Sequence, residues 1–295
     1  MRIFDCTTFF NEKMIMDLRF NTLDPYVTKF IVVESNYSHS GQKKKLNFNI
    51  NDYPDFKNKI EYIVIKEEPA DIIQGNELIK NPHNKRLNSL KRIEQSYDNM
   101  IKGIGDADEN DLILLSDNDE IPNLSSFSIE DLKKTDYVIF KQLFFYYKFN
   151  LFYDRIPWFG TKGCKKKKLK NFSSIRNLKN KRYPFWRLDT YFSEVKQTNL
   201  KIIENGGWHF TNIKTPEELF EKFSNFGHHD EFELANIDVK KIKEKIENKE
   251  VFYDHLADKG SSNRWSDNYK LKKIDLNYLP EYLIENSEKF KDWID

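Results

Sequence analysis

The stretch Asp111-Leu-Ile-Leu-Leu-Ser-Asp117-Asn-Asp119-Glu120-Ile-Pro122 restricts the fold more than any other part of the chain. Its apolar run has the length and composition of a buried strand. Pro122 lacks a backbone donor and cannot continue a ladder, so the strand should end before it. Asp117, Asp119 and Glu120 are therefore expected where a central strand leaves its sheet. Ligands of open α/β sheets bind at that end of the strands. Two aspartates flanking a single residue offer hard oxygen donors, suited to Mg²⁺ or Mn²⁺ and ill suited to soft metals. Such ions commonly join carboxylates to substrate phosphates. The competing reading is a solvated acidic turn that caps the next helix.

Around this stretch, strand and helix patterns alternate. Arg2 to Phe10 reads as a strand, and Glu12 to Leu23 as a helix with Met14, Ile15, Leu18 and Leu23 on one face. Lys29 to Glu34 is a β-branched strand, Asn36 to Lys45 a polar loop, and Lys59 to Ile65 another strand. Lys85 to Ile104 has a helical pattern and leads into the run at Asp111. This order implies βαβ units, right-handed crossovers and a mostly parallel sheet. Later, Asp136 to Lys148 is a long aromatic strand. Lys201 to Phe210 reads as strand, tight turn at Gly206-Gly207, strand. Thr215-Pro-Glu-Glu has the capping-box pattern of a helix start, running to about Phe223. After Ile237 the chain is highly charged and helical in pattern.

Charge is balanced, 48 Lys and Arg against 47 Asp and Glu, so nothing general favours nucleic-acid binding, and none is expected. Two cysteines, Cys6 and Cys164, are too few for a disulfide scaffold or a zinc site; two free thiols are the simpler expectation. The apolar runs fall short of the roughly 20 residues of a spanning helix. No signal peptide precedes the first strand, so a soluble, cytoplasmic protein is expected. Lys162 to Leu188 is basic, without a single acidic residue. It reads as a solvated loop, an anion or diphosphate clamp, or a peripheral membrane contact through Lys165 to Arg187. Neither a P-loop nor a G-x-G-x-x-G signature is present, which places ATPases and dehydrogenases low.

Several segments together resemble glycosyltransferase family 17. They are Phe9-Phe10-Asn11-Glu12, then Phe30-Ile-Val-Val-Glu34-Ser35-Asn36-Tyr-Ser38-His39-Ser40-Gly41, then Ser116-Asp117-Asn118-Asp119-Glu120-Ile121-Pro122. Gly206-Gly207-Trp208-His209-Phe210, Lys222-Phe223-Ser224-Asn225-Phe226-Gly227-His228 and Leu279-Pro280-Glu281-Tyr282-Leu283 complete the set, which spans almost the whole chain. The resemblance implies a GT-A-type α/β layer fold with a mostly parallel sheet and a helical C-terminal region. It also implies an inverting transfer from a nucleotide sugar, most simply UDP-N-acetylglucosamine, to a glycan or lipid-linked glycan. One domain is expected: a nucleotide-binding half at 1–122, an acceptor and metal half at 123–236, and a helical extension at 237–295.

Residue roles follow from the resemblance. Asp119 is expected to hold Mn²⁺ or Mg²⁺, with Asp117 as a second ligand or as an acceptor for the ribose, and His209 as a third ligand or a diphosphate contact. Phe10, Asn11, Glu12, Glu34, Ser35, Asn36, His39, Ser40, Asn118 and Trp208 are expected around the nucleotide sugar. Candidates for the general base are Asp230, Glu231 and Glu120, with Gly227 to Glu231 as a lid. Animal members of the family carry an N-terminal membrane anchor, whereas this chain starts at its first strand, which points to a cytoplasmic enzyme acting on a lipid-linked or surface glycan. The rival classes are a metal-dependent phosphohydrolase or nucleotidyltransferase, and a non-enzymatic glycan- or nucleic-acid-binding module.

Overall fold

The computed structural model describes residues 1–76, 81, 83–225, 229–256, 265 and 267–295, without the side chains of Ile129, Asp131 and Asp230. Its strands are β1 (Ile3–Thr8), β2 (Lys29–Ser35), β3 (Ile60–Ile65), β4 (Leu112–Ser116), β5 (Glu120–Pro122), β6 (Tyr137–Tyr146), β7 (Leu151–Phe152), β8 (Trp158–Lys165), β9 (Leu200–Ile203), β10 (Gly207–Thr211) and β11 (Lys272–Lys273). The helices are α1 (Lys13–Leu23), α2 (His83–Asn99), α3 (Ile129–Lys133), α4 (Phe172–Arg176), α5 (Pro216–Asn225), α6 (His229–Ala235), α7 (Val239–Glu247) and α8 (Glu281–Glu285), with short 3₁₀ turns between them.

Four strands form a parallel block in the order β3-β2-β1-β4. Its strands alternate between two apolar layers, as the period of an extended chain requires. Phe30, Val32, Leu112 and Leu114 face α1, where Met16, Leu18 and Phe20 pack. Ile31, Val33, Ile113 and Leu115 face the layer of Tyr97, Met100, Phe172 and Ile175, from α2, the turn after it and α4. Cys6 and Cys164 are free thiols in this second layer. The chain leaves β1 toward β2 and β3 on one side and returns to β4 on the other. The sheet therefore has its switch point between β1 and β4, the crevice where α/β sheets bind ligands.

Beyond β4 the sheet turns mixed: β8 runs antiparallel to β4, and β6 antiparallel to β8. The paired glycines do not make a hairpin. β9 and β10 both run parallel to β6, one after the other, Tyr137 opposite Leu200 and then Leu143 opposite Trp208. Gly206-Gly207 is the offset between them: Gly206 N–H donates to Lys141 O at 2.9 Å, and Gly207 takes φ of 110°. Pro122 also departs from expectation, since it stands in a ladder, opposite Gly207 in the antiparallel β5–β10 pair. A proline fits there because, among the described residues, β5 pairs with β10 alone, so the missing donor faces no second strand.

The charged C-terminal region is less helical than its pattern suggests. α7 ends at Glu247, where Lys249 adopts φ of 54° and Glu250 N–H turns back to Lys245 O. The basic segment is likewise partly drawn inside. Lys162 Nζ is held by the carbonyls of Arg176 and Leu178 at 3.0 and 2.8 Å, and Asp136 lies 3.7 Å from Lys165 and 3.3 Å from Lys168. Under the sheet, fully buried Arg19 of α1 forms a two-pronged pair with Asp5 of β1 at 2.6 and 2.7 Å and also donates to Glu120 O. The acidic turn is thus tied to the first strand and first helix.

Candidate active site

The loops that follow β1, β2 and β4 meet at the switch point. After β1, Glu12 is buried and folds back to accept the N–H groups of Phe10 and Asn11 at 3.1 and 3.0 Å. Lys214, just past β10, donates to Asn11 Oδ1 at 2.5 Å and lies 3.7 Å from Glu12. After β2, Ser35 Oγ accepts from Tyr37 N–H at 3.1 Å and Asn36 O from Lys44 N–H at 2.7 Å, which folds the polar loop back on itself. The loop tip docks on α5, with Ser40 Oγ 3.1 Å from Asn225 Oδ1, while Arg92 of α2 donates to His39 O at 3.0 Å. Burial pushes the His39 imidazole down to about 4; Asp117 opposes this, and Arg176 and Arg92 add to it.

Glu34 has its acceptor capacity filled by the protein. It takes the N–H groups of Asn47 and Phe48 at 2.8 and 3.0 Å, the Tyr62 hydroxyl at 2.8 Å and the Lys44 ammonium. Its place in this structure is to anchor the wall formed by residues 44–48.

The acidic turn after β4 divides its three carboxylates. Asp117 accepts from the Tyr97 hydroxyl at 3.1 Å and from Arg176 of α4 at 2.5 Å. Asn118 is half-buried beside it. Asp119 is buried, with Oδ1 3.3 Å from His209 Nε2 and Oδ2 3.7 Å from Lys222 Nζ of α5. Burial pushes the Asp119 carboxyl up, but His209, Lys222 and the Thr211 hydroxyl outweigh this and hold it well below the usual carboxylate range. Glu120 is buried with Oε1 2.9 Å from the Trp158 indole N–H and Oε2 3.1 Å from Asp117 N–H. Its burial, with the Asp117 charge, pushes it up to about 7.

His209 lies on β10 opposite Glu120. Its ring stacks on Trp158 at 4.2 Å with the planes 18° apart, and Nδ1 is buried with no hydrogen-bond partner among the described residues. Asp119 Oδ1 and His209 Nε2 thus stand side by side at 3.3 Å, the separation of neighbouring ligands around one ion at about 2.1 Å. Among the described residues no three His, Cys, Asp or Glu side chains form a ligand set. Asp117, turned to Tyr97 and Arg176, does not join the pair in this arrangement. The residues present fit a divalent ion with two protein ligands whose other positions are left to substrate oxygens and water, a pattern common where substrate phosphates complete the shell.

Trp208 points elsewhere. Side chains alternate along a strand, so with His209 in the site Trp208 faces the core, where its indole donates to Tyr278 O at 2.7 Å. Trp158 supplies the aromatic surface at the site instead. Glu231 lies on α6, which Phe232 packs against Phe223 and Trp265. The side chain of Asp230 and residues 226–228 of the expected lid lie outside the described residues. Trp158, Tyr97, Arg176, Lys214 and Lys222 were not singled out in the sequence. Arg176 counted only as one cation of the basic run and Lys222 only as the start of the Lys222–His228 motif, while nothing local marks Tyr97, Trp158 or Lys214.

A comparison with curated proteins finds no match. The family model for glycosyltransferase family 17 matches residues 1–294. That span includes every loop at the switch point, the Asp117–Glu120 turn, His209 and the helices that hold them. The chain belongs to glycosyltransferase family 17 and is a glycosyltransferase.

Proposed function

We propose that the protein is an inverting, metal-dependent glycosyltransferase of GT-A type that moves a sugar from a UDP-sugar to a hydroxyl of a glycan or lipid-linked glycan, with N-acetylglucosamine the first sugar to test. The observation that carries this reading is the pairing of Asp119 with His209 at the sheet's switch point, flanked by Lys222 and Lys214. A diphosphate leaving group needs positive charge on one side and a base on the other. Mn²⁺ or Mg²⁺ bound by Asp119 and His209 would supply Lewis-acid neutralisation of the departing diphosphate. Lys222 and Lys214 add fixed positive charge along the same edge. Phe10, Asn11, Ser35, Asn36 and His39 line the loops around the nucleotide, with Asp117 and Asn118 at the ribose end.

In the transfer, the acceptor oxygen bonds to the anomeric carbon as the carbon–phosphate oxygen bond breaks. The acceptor proton passes to a carboxylate opposite the leaving group. We assign that carboxylate to the start of α6, Asp230 or Glu231. α6 follows α5, and the α5 terminus Asn225 already touches the Ser40 loop. Glu120 serves as a positioning residue: buried, and held by Trp158 and Asp117 N–H, it fixes the acidic turn.

Turnover of a UDP-sugar panel with Mn²⁺ or with EDTA, on the wild type and on Asp230→Asn, Glu231→Gln and Glu120→Gln, tests the reading. One α6 variant should lose on the order of 10²–10⁴ in kcat while keeping the thermal shift given by UDP. Release of inorganic phosphate without a glycoside product would favour the hydrolase class. Full activity in both α6 variants would move the base elsewhere.

A further inference from the structure

Between α4 and β9 the chain makes an excursion that the glycosyltransferase reading does not use. Its base is fastened: Lys179 N–H donates to Val195 O at 2.8 Å, Tyr183 N–H to Gln197 O at 3.0 Å, and Arg182 Nε to Thr198 O at 2.9 Å. Its tip is cross-linked by the Arg187–Asp189 pair at 2.8 Å, by Lys196 on Asp189 at 2.7 Å, and by the Thr190 hydroxyl on Arg187 O at 2.6 Å. A loop built this firmly nevertheless presents its apolar side chains outward. Phe185 is 73%, Trp186 68%, Leu188 75%, Tyr191 72% and Phe192 91% exposed. A groove of about 380 Å³ runs between the Arg182–Trp186 stretch and Thr198 and Asn199. Exposed aromatic groups gathered in one patch mark an interaction surface.

The charges around the tip select the partner. From Lys179 to Lys196 there are five cations, Lys179, Lys181, Arg182, Arg187 and Lys196, against two carboxylates, Asp189 and Glu194. Both carboxylates are already paired, Asp189 with Arg187 and Lys196, Glu194 with Lys170. Among the described residues no carboxylate pairs with Lys179, Lys181 or Arg182. Trp, Tyr and Phe at the apex with Lys and Arg behind them is the chemistry of the water–lipid boundary. The rings enter at the headgroup level, and the cations meet anionic lipid. In the Lys165–Lys170 run, Lys165 is buried on Lys133 O beside Asp136, and the exposed Lys167, Lys168 and Lys170 already face Asn110, Asp136 and Glu194, so the contact is placed at this excursion, where cations stand beside exposed aromatic side chains.

We propose that the Phe185–Phe192 tip is a peripheral docking site for an anionic lipid surface. The excursion begins three residues after Arg176, which holds Asp117, so docking would set the glycosyltransferase site against that surface. No helix among the described residues is long and apolar enough to cross a membrane, and the proposed contact needs none.

The test is sedimentation of the intact protein with vesicles of phosphatidylcholine alone and of phosphatidylcholine with about one third phosphatidylglycerol. The wild type should bind the anionic vesicles and release in high salt. Trp186→Ala with Phe192→Ala should weaken binding about tenfold or more, and Lys179→Glu with Lys181→Glu by a similar factor. All these side chains are at the surface, so unchanged melting temperatures certify the variants. Equal binding of both vesicle types, no binding, or binding unaffected by the aromatic changes would overturn the proposal. So would a concentration-dependent dimer, seen by sedimentation velocity and lost in the aromatic variant while vesicles are ignored; that outcome assigns the tip to a second copy of the chain. None of these readouts involves sugar transfer, so a failure here leaves the proposed activity untouched.

Discussion

At the residue scale, Asp119 and Trp158 do different work around His209. Asp119→Asn keeps the volume and removes the charge that His209 and Lys222 face. It should leave the fold intact and cut transfer on the order of 10²–10³-fold, as steady-state turnover would show. Trp158→Phe removes the indole donor that holds Glu120 at 2.9 Å and thins the stack on His209. Loss of that hydrogen bond to a buried carboxyl should cost about 1–3 kcal/mol of stability in a denaturant titration. His39 gives a pH signature. Its folded pKa, pushed to about 4, lies below the ordinary value of about 6.5. Between those values the unfolded chain binds a proton that the folded chain refuses. Stability is therefore complete above about 6.5 and falls as the pH drops toward 4. Melting temperatures from pH 4 to 7 should show a flatter profile for His39→Gln than for the wild type.

At the element scale, two short devices hold the later half of the site in place. Thr215 and Glu218 form a reciprocal cap at the start of α5, Glu218 taking Thr215 N–H at 2.9 Å and Thr215 Oγ taking Glu218 N–H at 3.3 Å. Thr215→Ala should cost about 1 kcal/mol in a thermal melt, and because α5 carries Lys222, KM for the donor should rise with it. Gly207 is less forgiving. At φ of 110°, with a methyl group brought to 2.2 Å from Ile121 O, Gly207→Ala should destabilise by more than about 2 kcal/mol or prevent folding. The cap was legible because its spacing is local, and so were β1, β2 and β4, whose runs are buried on both faces, and the edge strand β3, which is half-buried but rich in isoleucine and valine. Gly206-Gly207 reads from the sequence as a tight turn, but a glycine pair reports only an unusual backbone. Whether the chain reverses or sidesteps depends on β6, which lies far away in sequence. The Asp117–Glu120 turn was placed correctly at the end of a central strand. The division of its carboxylates was not legible, since Tyr97, Trp158, Arg176 and Lys222 come from four separate elements.

For the whole molecule, the buried Arg19–Asp5 pair joins helix, first strand and acidic turn in one unit. Arg19→Met leaves Asp5 charged and unpaired in the core and frees the Glu120 carbonyl. It should cost about 3–5 kcal/mol, measurable as a drop in the denaturant midpoint, whereas the double change Asp5→Leu with Arg19→Met should recover much of that loss. The site also joins segments far apart in sequence, Asn11 with Lys214 and Ser40 with Asn225. A further consequence belongs to synthesis. β4 is apolar and buried from Leu112 to Leu115, and its second neighbour, β8, is translated only after β5, β6 and β7. A growing chain that has just released β4 therefore carries a naked, sticky strand edge until Trp158–Lys165 emerges from the ribosome. A message cut short after residue 126 should yield insoluble product, and slow codons between β4 and β8 should lower the soluble yield of the 295-residue chain.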